Sequence, residues 1–498
     1  MRPARRSMDT DSILILDFGG QQAQLMARKL RGERFFCEIA PCETRAEDIA
    51  SRAPKGLLLA GGTGDPSAPD ARGVDAGVFS LGIPVLALGF GARQMALTLG
   101  GQLLGTQLAG RTAQISFSES PLFAGLSETE RFFTRVDSLE LPEGFGAIAY
   151  AAGGLVPAFA CEEKKLYALQ FSPEANDPDG LQILANFAGD ICGCEAWWSM
   201  EAFLERAEAG IRSEVGDGNA LIAISGGVDS AVCAALLHRV IGDRLKCIYI
   251  NTGLMRKGET ALVTSTFRDA LGMELICVDA SERILKRLEG VTSPAVKREV
   301  VEQEVMRVFE DEARALGQID CLALGTIYPD VLSGAKRRTA GFDKRVEPLR
   351  LLFKDEVRQL GEVLGMPNDL TRRQPFPEPG LAVRIVGEVT REKLAMLREA
   401  DAIFREEVAE AGLDRRVWQY FAVLTDIRTL GRRDGRPCEE YAVALRAVSS
   451  HDVLSFNAYR MPYDLLERVC QRVTGEVKGI NRVLYDVTGM SSAFIEWE

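Results

Sequence analysis

Short apolar segments alternate with helical segments in two separate series along the chain, and this pattern limits the folds open to it. The first series starts with ILILDF at residues 13–18 and ends near residue 195. The second starts with ALIAIS at residues 220–225 and ends near residue 373. Strands that alternate with helices form mostly parallel sheets with helices on their faces. The sequence therefore predicts two successive α/β domains.

The part of the chain after residue 373 has a different pattern. The segment RRQPFPEPGL at 372–381 concentrates proline and glycine, which indicates a domain boundary, and helices then mix with β-rich stretches. We expect a disordered leader at 1–10, α/β domains at 11–195 and 198–373, and an α+β domain at 374–498.

Composition excludes several classes of protein. The 498 residues carry a formal net charge of −12, which argues against a general nucleic-acid-binding or membrane-surface protein. No apolar run is as long as a membrane span, and the first residues lack the apolar stretch of a signal peptide. We therefore expect a cytoplasmic protein without nucleic-acid or membrane partners.

Cysteine and histidine usage narrows the possible chemistry further. Most of the 11 cysteines lie in apolar surroundings, which is typical of core residues in a reducing compartment. The pair Cys192 and Cys194 has no second pair at zinc-site spacing, so a structural zinc is not expected. The two histidines are His238 and His451, so no histidine mechanism is possible within the first series.

The sequence SGGVDS, which we call the phosphate loop, follows the first strand of the second series. Its glycines let backbone N–H groups approach phosphate oxygens, its serines add hydroxyl donors, and the following helix contributes its positive end. We expect Asp229 to position Mg²⁺ on a bound nucleotide. An ordinary strand-to-helix turn is the alternative, but the complete motif is more specific than a glycine pair. The predicted nucleotide-binding residues are Ser225, Gly226, Gly227, Val228, Asp229 and Ser230.

A second strand–turn–helix segment lies at IPVLALGFGARQM, residues 83–95. In α/β hydrolytic domains a tight turn of this kind presents a nucleophile at the edge of the sheet. The residue at this turn, which we call the elbow, is Gly89, which has no side chain. The elbow thus has the architecture of a nucleophile site without the nucleophile.

The phosphate loop resembles that of the ATP pyrophosphatases, and nearly the whole chain resembles the glutamine-hydrolysing GMP synthase family. The resemblance rests on stretches that include ILILDFGGQ, GGVDSAV, NTGLMRKGE, VEPLRLLFKDEVRQLG and EVKGINRVLYDVT. It implies a glutaminase-like α/β domain, an ATP-pyrophosphatase domain of the adenine nucleotide α-hydrolase type, and an α+β C-terminal domain for dimerisation and acceptor binding. It also implies a homodimer that uses ATP and Mg²⁺ to convert XMP to GMP.

The resemblance implies that a cysteine, a histidine and a glutamate should form the glutaminase site. Here Gly89 stands at the cysteine position and Ser172 at the histidine position, whereas Glu174 remains. The nearby Gly61 and Gly62 are kept. Without a nucleophile and a base, covalent catalysis of amide hydrolysis is not possible. We therefore predict that glutamine hydrolysis is lost and that free ammonia is the nitrogen source.

For the synthetase reaction the resemblance implies two further groups of residues. Arg256 and Glu496 match XMP-binding positions, and the catalytic candidates are Asp330, Lys354 and Asp355. A lysine there can stabilise charge that develops on the transferred phosphoryl group. Taken alone, the segment around Lys354 favours the alternative, an amphipathic helix with a solvated charged face.

Several departures from the family surround the acceptor position. Asn251 replaces an aspartate, Glu378 a glycine and Met490 a lysine, and the lid after residue 330 is shorter and lacks histidine. Basic residues of this short lid either compensate for lost charge or form a solvated loop; they are Lys336, Arg337, Arg338, Lys344 and Arg345.

Three functions remain open from the sequence. The first is an ammonia-dependent ligase that makes GMP from XMP, and the second is a related enzyme that adenylates another purine-like acceptor. The third is a catalytically silent nucleotide-binding homologue, which the intact phosphate loop disfavours. The apolar face of the helix predicted at 460–473 either forms a dimer contact or packs on its own domain.

Overall fold

The computed structural model divides into two compact units, Met1–Phe203 and Leu204–Glu498. It describes residues 11–127, 129–171, 173, 178–334, 341–371, 373–433, 435–450, 456–489 and 494–497. No helix in these ranges combines the length and the apolar character needed to cross a membrane.

The first unit is built on one nine-stranded sheet in the order β2-β1-β3-β4-β9-β8-β7-β5-β6. The strands from β2 to β9 in this order are parallel, and the remaining neighbours pair antiparallel. Its strands are β1 (Ile13–Asp17), β2 (Cys37–Pro41), β3 (Gly56–Ala60), β4 (Val85–Leu88), β5 (Gln102–Phe117), β6 (Thr129–Glu140), β7 (Gly146–Ala151), β8 (Leu155–Cys161) and β9 (Leu166–Leu169). Its helices are α1 (Gln22–Gly32), α2 (Ala46–Arg52), α3 (Phe90–Thr98) and α4 (Pro178–Ala185), and the division between the units falls within α5 (Met200–Val215).

The second unit contains two sheets. A five-stranded parallel sheet has the order β12-β11-β10-β13-β14, and in the other sheet β16 pairs with β15, β17 and β18. The strands are β10 (Ala220–Ile224), β11 (Leu245–Asn251), β12 (Leu275–Asp279), β13 (Cys321–Ala323), β14 (Arg345–Val346), β15 (Gln419–Arg433), β16 (Arg436–Ser449), β17 (Asn457–Ala458) and β18 (Ile480–Asp486). The helices are α6 (Val228–Ile241), α7 (Glu259–Ser265), α8 (Ser281–Leu288), α9 (Pro294–Ala315), α10 (Tyr328–Leu332), α11 (Lys354–Val363), α12 (Asn368–Thr371), α13 (Arg391–Glu410) and α14 (Tyr463–Glu476).

These observations confirm the predicted fold class. The strand–helix alternation gives an α/β domain with a large mixed sheet, in which four of the eight neighbouring strand pairs are parallel instead of most of them, followed by a fully parallel sheet with its own helices. The segment 374–498 mixes helices with a largely antiparallel sheet, as expected for an α+β domain.

One apolar core runs through the second unit on both sides of residue 373. It contains Leu221 and Ile248 of the parallel sheet together with Leu397 of α13 and Val443 of β16. The segments 198–373 and 374–498 therefore pack around a common core. Their division into two domains remains a prediction from the sequence. The same core also contains the apolar face of α14, namely Leu465, Val469 and Val473. That face packs within its own unit, so it is not exposed for a dimer contact.

Candidate active site

The phosphate loop lies at the carboxyl end of β10, the central strand of the parallel sheet. The chain passes from β10 to β11 and β12 on one side and later to β13 on the other, so the strand order reverses beside β10. The segment after β13 reaches the loop, because a Cβ added to Gly325 would lie 3.3 Å from the backbone nitrogen of Ser230. Open α/β sheets bind ligands where their strand order reverses. The sequence motif therefore occupies the position that this fold class uses for ligands.

Hydrogen bonds within the phosphate loop hold its two serines together. The backbone N–H of Ser225 donates to Ser230 Oγ at 3.2 Å, and the two hydroxyl oxygens are 3.1 Å apart. Gly226 has a left-handed φ of +78°, which favours glycine at this turn. Helix α6 begins directly afterwards at the buried Val228, so its positive end faces the loop. Backbone amides, hydroxyls and a helix N-terminus together suit a phosphate group.

Lys354 and Asp229 form an ion pair beside this loop. Nζ of Lys354, the first residue of α11, lies 2.6 Å from Oδ2 of Asp229, although the two residues are 125 positions apart. The other carboxylate oxygen of Asp229, Oδ1, is buried and has no hydrogen-bond partner among the described residues. The structure thus joins one predicted catalytic residue to one predicted nucleotide-binding residue and leaves a carboxylate oxygen available to a ligand.

The segment that carries Asp330 is attached to the start of α11. The backbone N–H of Tyr328 donates to the carbonyl oxygen of Leu352 at 2.8 Å, and the rings of Tyr328 and Phe353 are 5.3 Å apart. Oδ2 of Asp330 accepts from the backbone N–H of Ile327 at 3.1 Å, which caps the short helix α10. Asp330 therefore stabilises the segment next to Lys354.

Asp355 follows Lys354 in the first turn of α11. Burial lowers the pKa of the Arg358 guanidinium, and the negative charges of Asp229 and Asp355 act in the opposite direction. Asp355 therefore adds negative charge to the same region as Asp229. No group of three or more His, Cys, Asp or Glu side chains in the described ranges has the geometry to hold a metal ion alone. Because Mg²⁺ commonly binds through one or two carboxylates plus phosphate oxygens, Asp229 fits such an ion only together with a nucleotide.

The two predicted acceptor residues, Arg256 and Glu496, are connected through Phe376 and Arg384. The Arg256 guanidinium is 4.6 Å from the centre of the Phe376 ring, and the Arg384 guanidinium is 5.4 Å from the same centre. Glu496 accepts hydrogen bonds from Arg384 at 2.7 and 2.9 Å. Arg384 therefore links Glu496 to the ring on which Arg256 lies.

Arg256 has unused hydrogen-bonding capacity. It is 4% exposed, and its Nε and Nη2 atoms have no hydrogen-bond partner in the described part of the chain. Nε lies 3.6 Å from Oδ2 of Asp401, which is an ion-pair distance. Burial lowers the pKa of Arg256 to about 9, and the charge of Asp401 partly opposes this effect. Buried donors without partners are costly, so the site suits a ligand that supplies oxygen acceptors.

The residues that depart from the family pattern, together with the basic residues of the lid, fall into three groups according to where they lie. Asn251 is used by its own turn, because its Oδ1 accepts from the backbone N–H of Gly253 at 3.1 Å. Glu378, Lys344 and Arg345 are exposed. Lys336, Arg337, Arg338 and Met490 lie outside the described residues.

The sequence did not single out Arg373 and Arg384 as site residues. Arg373 donates to the carbonyl oxygen of Gly226 at 2.7 Å and pairs with Glu259, and Arg384 is fully buried. Both lie in the proline- and glycine-rich segment that the sequence indicates as a boundary. Three arginines within residues 372–384 were the available signal, because such a density of cations is unusual in a linker.

The elbow in the first unit keeps its backbone geometry. β4 ends at Leu88, Gly89 has φ +50° and ψ −104°, and α3 begins at Phe90. A Cβ added to Gly89 would meet no atom of the described residues within 4 Å. As far as these residues show, the turn has room for a side chain that it lacks.

The neighbouring glycine segment is closed by internal hydrogen bonds. The N–H of Gly62 donates to the carbonyl oxygen of Gly19, and the N–H of Gly61 donates to Oε1 of Gln22, both at 2.8 Å. Ser172 and Glu174 lie outside the described residues.

Comparisons with known proteins cover both units. The family profile described as Glutamine amidotransferase class-I matches residues 14–191, and that described as GMP synthase C terminal domain matches residues 406–497. Curated relatives named GMP synthase [glutamine-hydrolyzing] match along the whole chain. The relative from Clostridium novyi (strain NT) is 43% identical over 511 residues, covering 99% of this chain and 100% of the relative. The relative from Symbiobacterium thermophilum is 44% identical over 512 residues, again covering 99% and 100%.

Proposed function

Because this chain belongs to the GMP synthase family, we propose that it is a carbon–nitrogen ligase that makes GMP from XMP, ATP and free ammonia. The observation that carries the proposal is the phosphate loop at the carboxyl end of β10 with Lys354 bound to Asp229 at 2.6 Å. Two of the residues expected to serve one nucleotide are thus in direct contact.

The proposed reaction has two steps. In the first, the xanthine oxygen of XMP attacks the α-phosphorus of ATP, and pyrophosphate leaves. In the second, ammonia attacks the carbon that bears this oxygen, AMP leaves with the oxygen, and the new C–NH₂ group releases one proton. Fixed positive groups aimed at developing charge supply much of the rate enhancement in phosphoryl transfer.

The roles of the chain's own residues follow from their positions. We assign Ser225, Ser230 and the start of α6 to the phosphates, and Lys354 to the charge on the reacting phosphoryl group. Asp229 would hold Mg²⁺ through its buried Oδ1, which has no hydrogen-bond partner among the residues that the structure describes. When bound, Mg²⁺ neutralises phosphate charge and orients the leaving pyrophosphate.

XMP as acceptor is supported by the surroundings of Arg256. Two of its nitrogens have no hydrogen-bond partner among the described residues, and an aromatic ring lies 4.6 Å away, which suits a planar, oxygen-rich base or its phosphate. The exposed Glu378 and the uncharged Asn251 favour the second candidate, a related enzyme for another purine-like acceptor.

Loss of glutamine hydrolysis is supported by the elbow and by the segment beside it. Gly89 offers no nucleophile, and the N–H of Gly62 is already bonded to Gly19 at 2.8 Å, so it is not available to a developing oxyanion. The first unit would therefore supply no ammonia, and the second unit would take ammonia from solution.

We propose that the protein forms a homodimer through β15, an edge strand of the C-terminal sheet. β15 lies at an edge of that sheet and exposes Ile427 and Leu430, the latter to 79%. Exposed apolar side chains on an edge strand favour association. A Leu430→Glu substitution should convert dimer to monomer in sedimentation velocity, and an unchanged dimer would exclude β15 as the contact.

A cytoplasmic location remains a prediction from the sequence.

The reaction is tested by measuring AMP, pyrophosphate and GMP after mixing the protein with ATP, Mg²⁺ and ammonium. We expect the three products in equal amounts with XMP and none without an acceptor. AMP released only with a different purine nucleotide would establish the second candidate. No AMP with any acceptor, together with measurable ATP binding, would identify a silent homologue.

A further inference from the structure

We infer that the Arg373–Glu259 pair couples the phosphate loop to the acceptor segment, defined as residues 253–259, so that ATP and acceptor strengthen each other's binding. This inference rests on the proposed function, because it takes the phosphate loop as the ATP site and Arg256 as part of the acceptor site. Arg373 acts here as a positioning residue, since its described contacts are with other residues of the chain.

The first half of the connection joins Arg373 to the phosphate loop. Nη1 of Arg373 donates to the carbonyl oxygen of Gly226 at 2.7 Å. In a planar trans peptide the following N–H points away from the carbonyl. The N–H of Gly227 therefore points into the loop, where Ser225 Oγ lies 3.3 Å away. Because that N–H donates to Ser225 Oγ, a fixed carbonyl of Gly226 also helps to fix the hydroxyl that we assign to the phosphates.

The second half joins Arg373 to the acceptor segment. Nη2 of Arg373 forms an ion pair with Glu259, the first residue of α7. The backbone N–H of Glu259 in turn donates to the carbonyl oxygen of Arg256 at 3.3 Å. One planar guanidinium therefore contacts the phosphate loop and the acceptor segment at the same time, and the rigid fork of arginine suits this bridging.

Burial makes the connection stiff. The side chain of Glu259 is 3% exposed and that of Arg373 is 13% exposed, so neither charge can move into water without a rearrangement. Burial and the charge of the nearby Arg405 lower the pKa of Arg373 to about 10, and Tyr249 acts in the opposite direction. A displacement of the acceptor segment would therefore be passed to Gly226 instead of being absorbed by solvent.

The coupling is measured as a ratio of dissociation constants. Calorimetric titration with the non-hydrolysable analogue α,β-methylene-ATP and Mg²⁺ is done without XMP and with saturating XMP. For the unchanged protein we expect at least about fivefold tighter analogue binding with XMP, the lower end of usual coupling between sites. In Arg373→Gln and in Glu259→Gln this ratio should fall to about one. The double variant should match either single variant, because both remove the same connection.

Two further variants separate coupling from general destabilisation. Arg373→Lys keeps the charge but not the fork, so an intermediate ratio is expected. Arg244→Gln is the matched control, because Arg244 also donates to backbone carbonyls, those of Gly216 and Gly218 at 2.7 and 3.1 Å, ahead of the amino end of β10. It should keep the original ratio. If Arg373→Gln fails to fold, as judged by circular dichroism, Glu259→Gln and Arg373→Lys carry the test.

Three results have distinct meanings. An unchanged ratio in Arg373→Gln and Glu259→Gln, even with uniformly weaker binding, would overturn the inference. An unchanged protein that binds the analogue equally well with and without XMP would also overturn it, while leaving the ATP site intact. No binding of the analogue at all would instead contradict the proposed function.

Discussion

The elbow at Gly89 and the phosphate loop at 225–230 are built from the same local elements, but they differ in their side chains. Each follows a buried parallel strand, turns through a glycine with positive φ and starts a helix. The phosphate loop adds two bonded hydroxyls and a carboxylate paired with Lys354, whereas at the elbow no described atom lies within 4 Å of a Cβ added to Gly89. The same backbone architecture therefore occurs with and without reactive side chains, so function must be argued from the side chains.

The strongest test of this difference is Lys354→Gln. Removing a preorganised positive group from a phosphoryl-transfer site is expected to lower kcat by about 10²–10³-fold. The measurement is the rate of AMP release with XMP and ammonium. Lys393→Gln is the matched control, because Lys393 pairs with Asp426 at 3.2 Å. A loss of less than threefold in Lys354→Gln would show that Lys354 does not act on the reacting phosphoryl group.

The second test places the same substitution at both turns. Gly226→Ala would bring a Cβ to 3.3 Å from Val263 Cγ2 at a φ of +78°, so the loop must shift, and we expect the KM for ATP to rise about tenfold. The added Cβ of Gly89→Ala meets no described atom within 4 Å, so this substitution should leave the ammonia-dependent rate unchanged. Each substitution should lower the free energy of unfolding by about 1–3 kcal/mol, because alanine is strained at a positive φ. Equal kinetic effects of the two substitutions would contradict the comparison.

A third test concerns the stability of the first unit. Asp137 is 1% exposed and pairs with Arg93 and Arg135, so Asp137→Asn leaves two buried or half-buried cations without their carboxylate. We expect the free energy of unfolding in urea to fall by about 3 kcal/mol. At denaturant concentrations too low to unfold the protein, Asp137→Asn should have the same kcat for the ammonia-dependent reaction as the unchanged protein. A loss of synthetase activity would show that the first unit does more than the comparison allows.

The same carboxylate gives this unit a dependence on pH. Burial raises the pKa of Asp137, but hydrogen bonds from Arg135 and Thr106 and the charges of Arg135 and Arg93 hold it below its ordinary value. Its stabilising effect is therefore present above about pH 4 and is lost as the pH falls through the lower, folded-state pKa. Asp137→Asn should lose less stability on acidification than the unchanged protein does, and parallel curves would contradict this assignment.

The smallest expected effect is that of Glu43→Gln, which also removes an ion pair from the first unit. Glu43 and Arg72 are 2.7 Å apart, but both side chains are exposed. Exposed pairs contribute little, so the free energy of unfolding should change by less than about 1 kcal/mol. A loss as large as that of Asp137→Asn would show that burial is not what distinguishes the two pairs.

The sequence could predict the elements and the position of the phosphate loop, because strand and helix periodicities and the SGGVDS motif are local signals. It could not predict the Lys354–Asp229 contact, which joins positions 125 residues apart and depends on how α11 packs beside α6. Arg373 was missed for the same reason, since its partner Gly226 is 147 residues away. The apolar face of α14 was ambiguous, because an amphipathic pattern shows that a face is buried but does not show against what.

The most direct test of the account is the source of nitrogen in the product. The full-length protein is incubated with ATP, Mg²⁺ and XMP, together with either ¹⁵N-ammonium or glutamine labelled with ¹⁵N in its amide, and the GMP formed is analysed by mass spectrometry. The account predicts labelled GMP from ammonium and no labelled GMP from glutamine, with glutamine remaining unhydrolysed. Labelled GMP from glutamine would contradict the central claim that the elbow at Gly89 no longer supports hydrolysis.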